Sequence, residues 1–176
     1  MIILFSSPIV NAQKIIIKEG NPYILKGVTE INIEFSYDNL RVGKYDTEKE
    51  YVDKKIAEYN KEDSGKGDIW AKAWSYDKES KYHPQFIESF FGNSGMKISK
   101  EAKYTLIFKT TYIDPGALKS SIDADVWIVE TSGKLNKLAV LSVSGATGYK
   151  GWETSYRISQ AYAQSGKKLA LFIFNK

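Results

Sequence analysis

Cysteine is missing from all 176 residues of the chain. That absence excludes a thiol nucleophile, cysteine-ligated zinc or iron–sulfur sites and any disulfide, and it removes the residue on which a lipoprotein anchor is built. Histidine occurs once, as His83. A single imidazole does not make a transition-metal site. A serine triad would need that ring beside a nucleophile on a strand–turn–helix elbow, a pattern the sequence does not contain. Directly before Pro84, His83 reads instead as part of a helix start. No apolar run approaches the ~20 residues that a membrane-spanning helix requires. The formal net charge is +4, and the basic surplus lies in residues 104–176, at turns and strand ends (Lys119, Lys134, Lys137, Lys167, Lys168). It forms no basic stripe interleaved with aromatic residues, so nucleic acid is not an expected partner.

What the chain does have is hydrophobic periodicity, and it is clearest in the second half. Tyr104, Leu106, Phe108, Thr110 and Tyr112 alternate with Thr105, Ile107, Lys109, Thr111 and Ile113, the pattern of a half-buried strand. Asp114-Pro115-Gly116 closes it with turn chemistry. Ala124–Thr131 places Ala124, Val126 and Ile128 on one face and Trp127 and Val129 on the other, and Ser132-Gly133 turns the chain into a third strand over Leu135–Val143. These three runs predict an antiparallel meander with the Trp127 strand covered on both faces. The period then lengthens: Trp152 and Tyr156, then Ile158, Ala161 and Tyr162, are spaced for a helix, with Gly166 as its C-terminal glycine. Lys168–Phe174 alternates again and predicts a final strand, reached by a crossover and therefore parallel to its neighbour.

Ahead of this meander, Lys14–Glu19 and Val28–Tyr37 read as strands. Thr47-x-x-Glu50 is a capping box that opens a helix carrying Val52, Ile56 and Tyr59. Asp68 caps a second helix, with Ile69, Trp70, Ala73 and Trp74 as one apolar stripe, and Pro84 opens a third with Phe86, Ile87, Phe90 and Phe91. The chain is long enough for one domain with a substantial core. The order of elements predicts an α/β (α+β) fold: a two-layer sandwich of a mixed, mainly antiparallel sheet with helices packed on it. The single domain spans residues 13–176. Residues 1–12 stand apart, an uncharged apolar opening that ends Val10-Asn11-Ala12, the small-x-small pattern of a signal-peptidase site. They read as a truncated export signal that leaves Gln13 as the mature N-terminus, against the plainer reading of Ile2, Ile3 and Leu4 as a strand.

Four groups of residues bear on function, and each has a structural explanation. Asp114, Asp123 and Asp125 cluster near one strand end, where close carboxylates hold Ca²⁺ or form an acid–base pair. Their spacing is not that of a calcium loop, however, and Asp114 belongs to an ordinary turn. Gly145-x-x-Gly148-x-x-Gly151 lies between a strand and a helix, where backbone N–H groups cradle anions. It matches neither the dinucleotide fingerprint nor a phosphate-binding loop, so it reads as a connection and no cofactor is implied. Aromatic residues make up 14% of the chain. Trp70 and Trp74 would stack sugars if exposed, and at helical spacing they read as core. His83 is the fourth. No catalytic, cofactor-binding or metal-ligating residue is assigned.

With Asp114-Pro115-Gly116, Ala124-Asp125-Val126-Trp127, Glu130-Thr131 and Ala161-Tyr162-Ala163 followed by Gly166-Lys167, the chain resembles a group of small, uncharacterised secreted proteins of Bacteroidetes. Its C-terminal half is similar in layout to bacterial envelope lipoprotein domains of unknown function, including the periplasmic α/β domain of the curli secretion channel. The resemblance implies a periplasmic or secreted location and a mixed α/β fold, and it implies no activity. The expectation is therefore an exported, non-enzymatic protein that binds another envelope component. The alternatives are a glycan or small-molecule binding module built on aromatic residues, and an enzyme built on carboxylates.

Overall fold

The computed structural model of the protein describes residues 13–149 and 151–175; the predicted export signal lies outside them. Seven strands form one sheet. They are β1 (Lys14–Gly20), β2 (Glu30–Ser36), β3 (Arg41–Val42), β4 (Lys97–Ile98), β5 (Tyr104–Asp114), β6 (Ser120–Glu130) and β7 (Gly133–Gly148). Their order across the sheet is β1-β7-β6-β5-β2-β4, with β3 also beside β5. The β5–β6–β7 meander is antiparallel, as its turns predict, and β1 joins β7 antiparallel. The parallel pairs are β2 with β5, β2 with β4 and β3 with β5. The sheet is mixed and mainly antiparallel, and helices pack on it, so the predicted fold class holds.

The helices are α1 (Glu48–Glu62), α2 (Lys66–Asp77), α3 (His83–Ser94) and α4 (Thr154–Phe174). The capping box that opens α1 is complete: Thr47 Oγ1 accepts from the Glu50 amide at 3.2 Å, and the Thr47 amide donates to the Glu50 carboxylate at 3.3 Å. Between α2 and α3 the backbone makes a π-helical turn over Lys78–Tyr82, so the two helices run on as one rod. Pro84 supplies the reason: it has no N–H to donate and its ring would strike the carbonyl four residues back, and a widened turn absorbs both faults. Helix α2 starts three residues earlier than the sequence suggests, capped by Gly65 at φ 85° and not by Asp68, which lies in its first turn. There the Gly67 amide donates to Asn60 Oδ1 at 2.8 Å, and a Cβ on Gly67 would strike the Ile56 backbone.

Two expectations fail. The predicted last strand, Lys168–Phe174, is the second half of α4, so the crossover does not form and the parallel pairs arise elsewhere. Gly166 does not end the helix. A Cβ there would clash with the Phe86 carbonyl and come within 3.1 Å of the Phe90 amide, so the glycine lets α4 and α3 touch backbone to backbone. Ile158, Ala161, Tyr162, Ser165, Leu169, Ala170 and Ile173 are all buried, one continuous helical stripe. The second failure concerns Trp127. The inner face of the meander, Leu106, Phe108, Ile122, Ala124, Val126, Ile128, Ala139 and Leu141, is buried under the helices. Trp127 points the other way and is only half-buried, its ring covered by Lys137 at 3.8 Å and Lys109 at 5.5 Å. A sheet with antiparallel strands tolerates one solvated face, and this one has it.

Candidate functional site

A cleft of about 680 Å³ opens between the α1–α2 hairpin and two turns at one end of the sheet. Its first wall is aromatic. Residues Tyr51, Lys55 and Tyr59 lie four apart on α1, and Trp70, Ala73, Trp74 and Asp77 lie three or four apart on α2, so one face of each helix lines the opening. Tyr45, in the turn after β3, completes the wall. The rings touch in series: Tyr45 to Tyr51 at 5.8 Å, Tyr51 to Trp74 at 5.2 Å, Trp74 to Trp70 at 5.7 Å and Trp70 to Tyr59 at 5.7 Å. Burial divides them. Trp74 is 5% exposed and belongs to the core, whereas Trp70, Tyr59 and Tyr45 are only half-buried. Glu48 fixes the inner end, accepting from Trp74 Nε1 at 2.6 Å and from Lys78 Nζ at 2.7 Å. Burial, with the nearby Tyr59, Glu58 and Tyr45, pushes the Tyr51 phenol up to about 12, so it lines the cleft as a neutral hydroxyl.

The second wall comes from Asp114, Pro115 and Gly116 in the β5–β6 turn and from Glu153, Thr154 and Ser155 where β7 leads into α4. Arg157 holds these two loops together. Its guanidinium is buried and donates to the carbonyls of Gly151 at 2.9 Å, Trp152 at 3.0 Å and Gly116 at 2.8 Å, and to Thr154 Oγ1 at 3.0 Å. Lys81 bridges the walls, paired with Asp77 at 2.9 Å and donating to Ser155 Oγ at 3.1 Å. The charges inside are thus mostly committed, since Asp114 accepts from its own turn's Gly116 amide at 3.1 Å and Lys55 pairs with Glu58 at 2.9 Å. What the cleft presents to a ligand is the half-buried rings of Trp70, Tyr59 and Tyr45, with lysine ammonium groups over the last two (Lys55 at 5.7 Å and Lys66 at 5.5 Å on Tyr59, Lys44 at 5.6 Å on Tyr45), bordered by hydroxyls and carboxylates.

The residues singled out in the sequence fall mostly elsewhere. The three aspartates do not converge: Asp114 stays in its turn, Asp123 accepts from the Gly145 amide at 2.8 Å, and Asp125 sits opposite Lys109 in the ladder. The three glycines form no anion cradle. Gly145 and Gly148 lie inside β7, and a Cβ at Gly148 would strike the Arg157 carbonyl, so this glycine serves the approach of β7 to α4. His83 is half-buried, stacked on Phe35 at 3.9 Å, with Nε2 3.1 Å from the Tyr37 hydroxyl. That hydroxyl accepts from Tyr162 at 3.3 Å, which is joined to Thr110 at 2.6 Å, a polar thread through the core from α3 to β5. Burial, and secondarily Lys78, lowers the His83 pKa to about 4.

Of the residues singled out, Trp70, Trp74 and Asp114 line the cleft; Trp74 is core as expected, and Trp70 packs against the core while staying half-buried. Its tyrosine partners were missed, although Tyr51, Lys55 and Tyr59 at i, i+4 and i+8 of α1 carry the signal. Among the described residues no group of three or more acidic or histidine side chains is placed to hold a metal ion, and no helix is long and apolar enough to cross a membrane.

No protein-family model and no curated protein matches the chain. Two solved structures of a PelC dodecamer from Paraburkholderia phytofirmans, one of them a point variant, align with it at TM-scores of 0.40 and 0.38 and identities of 8% and 9%. Each alignment covers 87% of this chain, and 96% and 97% of theirs. Likeness of that degree assigns neither family nor activity.

Proposed function

We propose that this is an exported, non-enzymatic binding protein of the bacterial cell envelope and that its aromatic cleft takes a glycan. The observation that carries the reading is the wall of half-buried rings, Tyr45, Tyr59 and Trp70, facing an open space of about 680 Å³. A pyranose offers C–H groups on its faces and hydroxyls around its edge. It therefore fits a flat aromatic surface bordered by polar groups better than a protein partner fits so concave a site. Two of the three carboxylates that line the cleft are held, Asp77 by Lys81 and Asp114 by its own turn, which favours binding over hydrolysis. The envelope location rests on the apolar opening that ends Val10-Asn11-Ala12.

The test is titration of the protein with oligosaccharides of two to six units from three series, cello-, chito- and alginate-derived, followed by tryptophan fluorescence and calorimetry. At least one series should saturate, and Trp70→Ala should weaken it roughly tenfold or more, about 1.4 kcal/mol. If no series binds the wild-type protein, or if Trp70→Ala binds as well as wild type, the cleft is not a glycan site.

A further inference from the structure

Beside the cleft stands an indole that the fold has no use for. Trp152 is 102% exposed, wholly in water, in the loop between β7 and α4. An apolar ring left in water is unfavourable, and nothing in the packing of the chain accounts for it. The loop that carries it is nonetheless tightly built. Gly151 sits at φ 116°, where only glycine is unstrained, and a Cβ there would lie 2.5 Å from the Tyr156 ring. The carbonyls of Gly151 and Trp152 both accept from the buried Arg157, whose other nitrogen holds Gly116 on the far turn. The next three residues along the chain, Glu153, Thr154 and Ser155, line the cleft. The backbone of Trp152 is therefore anchored one residue along the chain from the cleft's wall, with its ring free in water.

We propose that Trp152 is an outer stacking platform of the same site, receiving the sugar units of a glycan that extends beyond the cleft. This rests on the glycan reading of the cleft and adds to it that the ligand is a chain rather than a single sugar. Continuity supports it: the platform shares its arginine clamp and its loop with the second wall. The cleft's rim carries the carboxylates of Glu153 and Asp114 together with the ammonium groups of Lys55 and Lys81, hydrogen-bonding groups that suit a hydroxyl-rich chain; an anionic bilayer, the other common destination of an exposed tryptophan, is an outcome of the test.

The experiment compares a disaccharide with a hexasaccharide from whichever of the three series binds, on wild type, Trp152→Ala and Trp70→Ala. Wild type should bind the hexasaccharide roughly tenfold or more tightly than the disaccharide. Trp152→Ala should lose that gain while its disaccharide affinity stays unchanged, and Trp70→Ala should weaken both. Removing so exposed a ring should leave the melting temperature unchanged, so a folding defect cannot mimic the result. A Trp152→Ala protein that keeps the chain-length gain overturns the proposal and leaves the cleft intact as a site. So does sedimentation with anionic phosphatidylglycerol vesicles that wild type shows and Trp152→Ala loses, with hexasaccharide affinity untouched; the ring would then be a membrane contact. Absence of binding to every series removes the cleft reading itself.

Discussion

At the scale of single residues, exposure decides how much each ring matters. Phe86 is fully buried among Phe35, Phe90 and Phe108, so Phe86→Ala should cost about 3–5 kcal/mol by denaturant unfolding. Trp127 is larger but lies half in water on the open face under two lysine stems, and Trp127→Ala should cost about 1–2 kcal/mol, well below a core tryptophan. Equal losses from the two variants would mean that the outer face is covered after all. His83 sets a pH dependence. Its pKa is about 4 in the fold and about 6.5 unfolded, so the unfolded chain binds the extra proton between those values. Stability is therefore unaffected above about pH 6.5 and falls as pH drops from there towards 4. The ring is partly exposed, and solvent screening reduces the effect to an order of 1–2 kcal/mol. His83→Gln, whose amide does not titrate, should flatten the difference in unfolding free energy between pH 7 and pH 4.5. A variant with the wild-type slope would show that other groups produce it.

Among the elements, those with a single clean period were legible in the sequence, and those whose signals conflict were not. Strands β5 to β7 were placed because alternation and turn residues agree. Helix α1 was placed because its capping box and its apolar spacing agree. The second half of α4 was misread because Leu169-Ala170-Leu171-Phe172-Ile173-Phe174 is apolar at every position, so alternation and helical spacing fit it equally well. Gly166 then tipped the choice, since a glycine after a helical run normally closes it. Here it marks where α3 and α4 press together, a contact between residues distant in sequence. Gly166→Ala separates the two meanings. On an isolated helix the change gains about 1 kcal/mol. Against the Phe86 carbonyl, which belongs to backbone and cannot swing away, it should instead cost about 1–3 kcal/mol and lower the melting temperature. A stabilised variant would mean that the two helices are not in close contact.

For the whole molecule, the cleft was the least legible feature because none of its walls is local. Tyr45, Trp70, Gly116 and Ser155 come from four separate stretches of chain, and only the folded sheet and the α1–α2 hairpin bring them together. The tryptophans could be suspected from the sequence; the role of Arg157 could not, because its partners are backbone carbonyls, which leave no trace in residue identity. Yet Arg157 is the joint between the β5–β6 turn and the loop that enters α4, a buried cation whose two terminal nitrogens are hydrogen-bonded to three carbonyls and one hydroxyl. Its Nε has no partner among the described residues, so the clamp depends on the two terminal nitrogens. Arg157→Met keeps the volume and removes every donor, and it should cost about 2–4 kcal/mol because the carbonyls of Gly116, Gly151 and Trp152 lose their shared partner. Arg157→Lys should recover only part of this, since one ammonium cannot span both loops as the planar fork does. Hydrogen exchange localises the effect. Amides around 116–120 and 151–156 should exchange faster in Arg157→Met, while those of β5 and α3 keep their wild-type protection after correction for global stability. If protection instead falls evenly across the sheet, Arg157 stabilises the fold as a whole and does not act as the specific joint of the cleft's second wall.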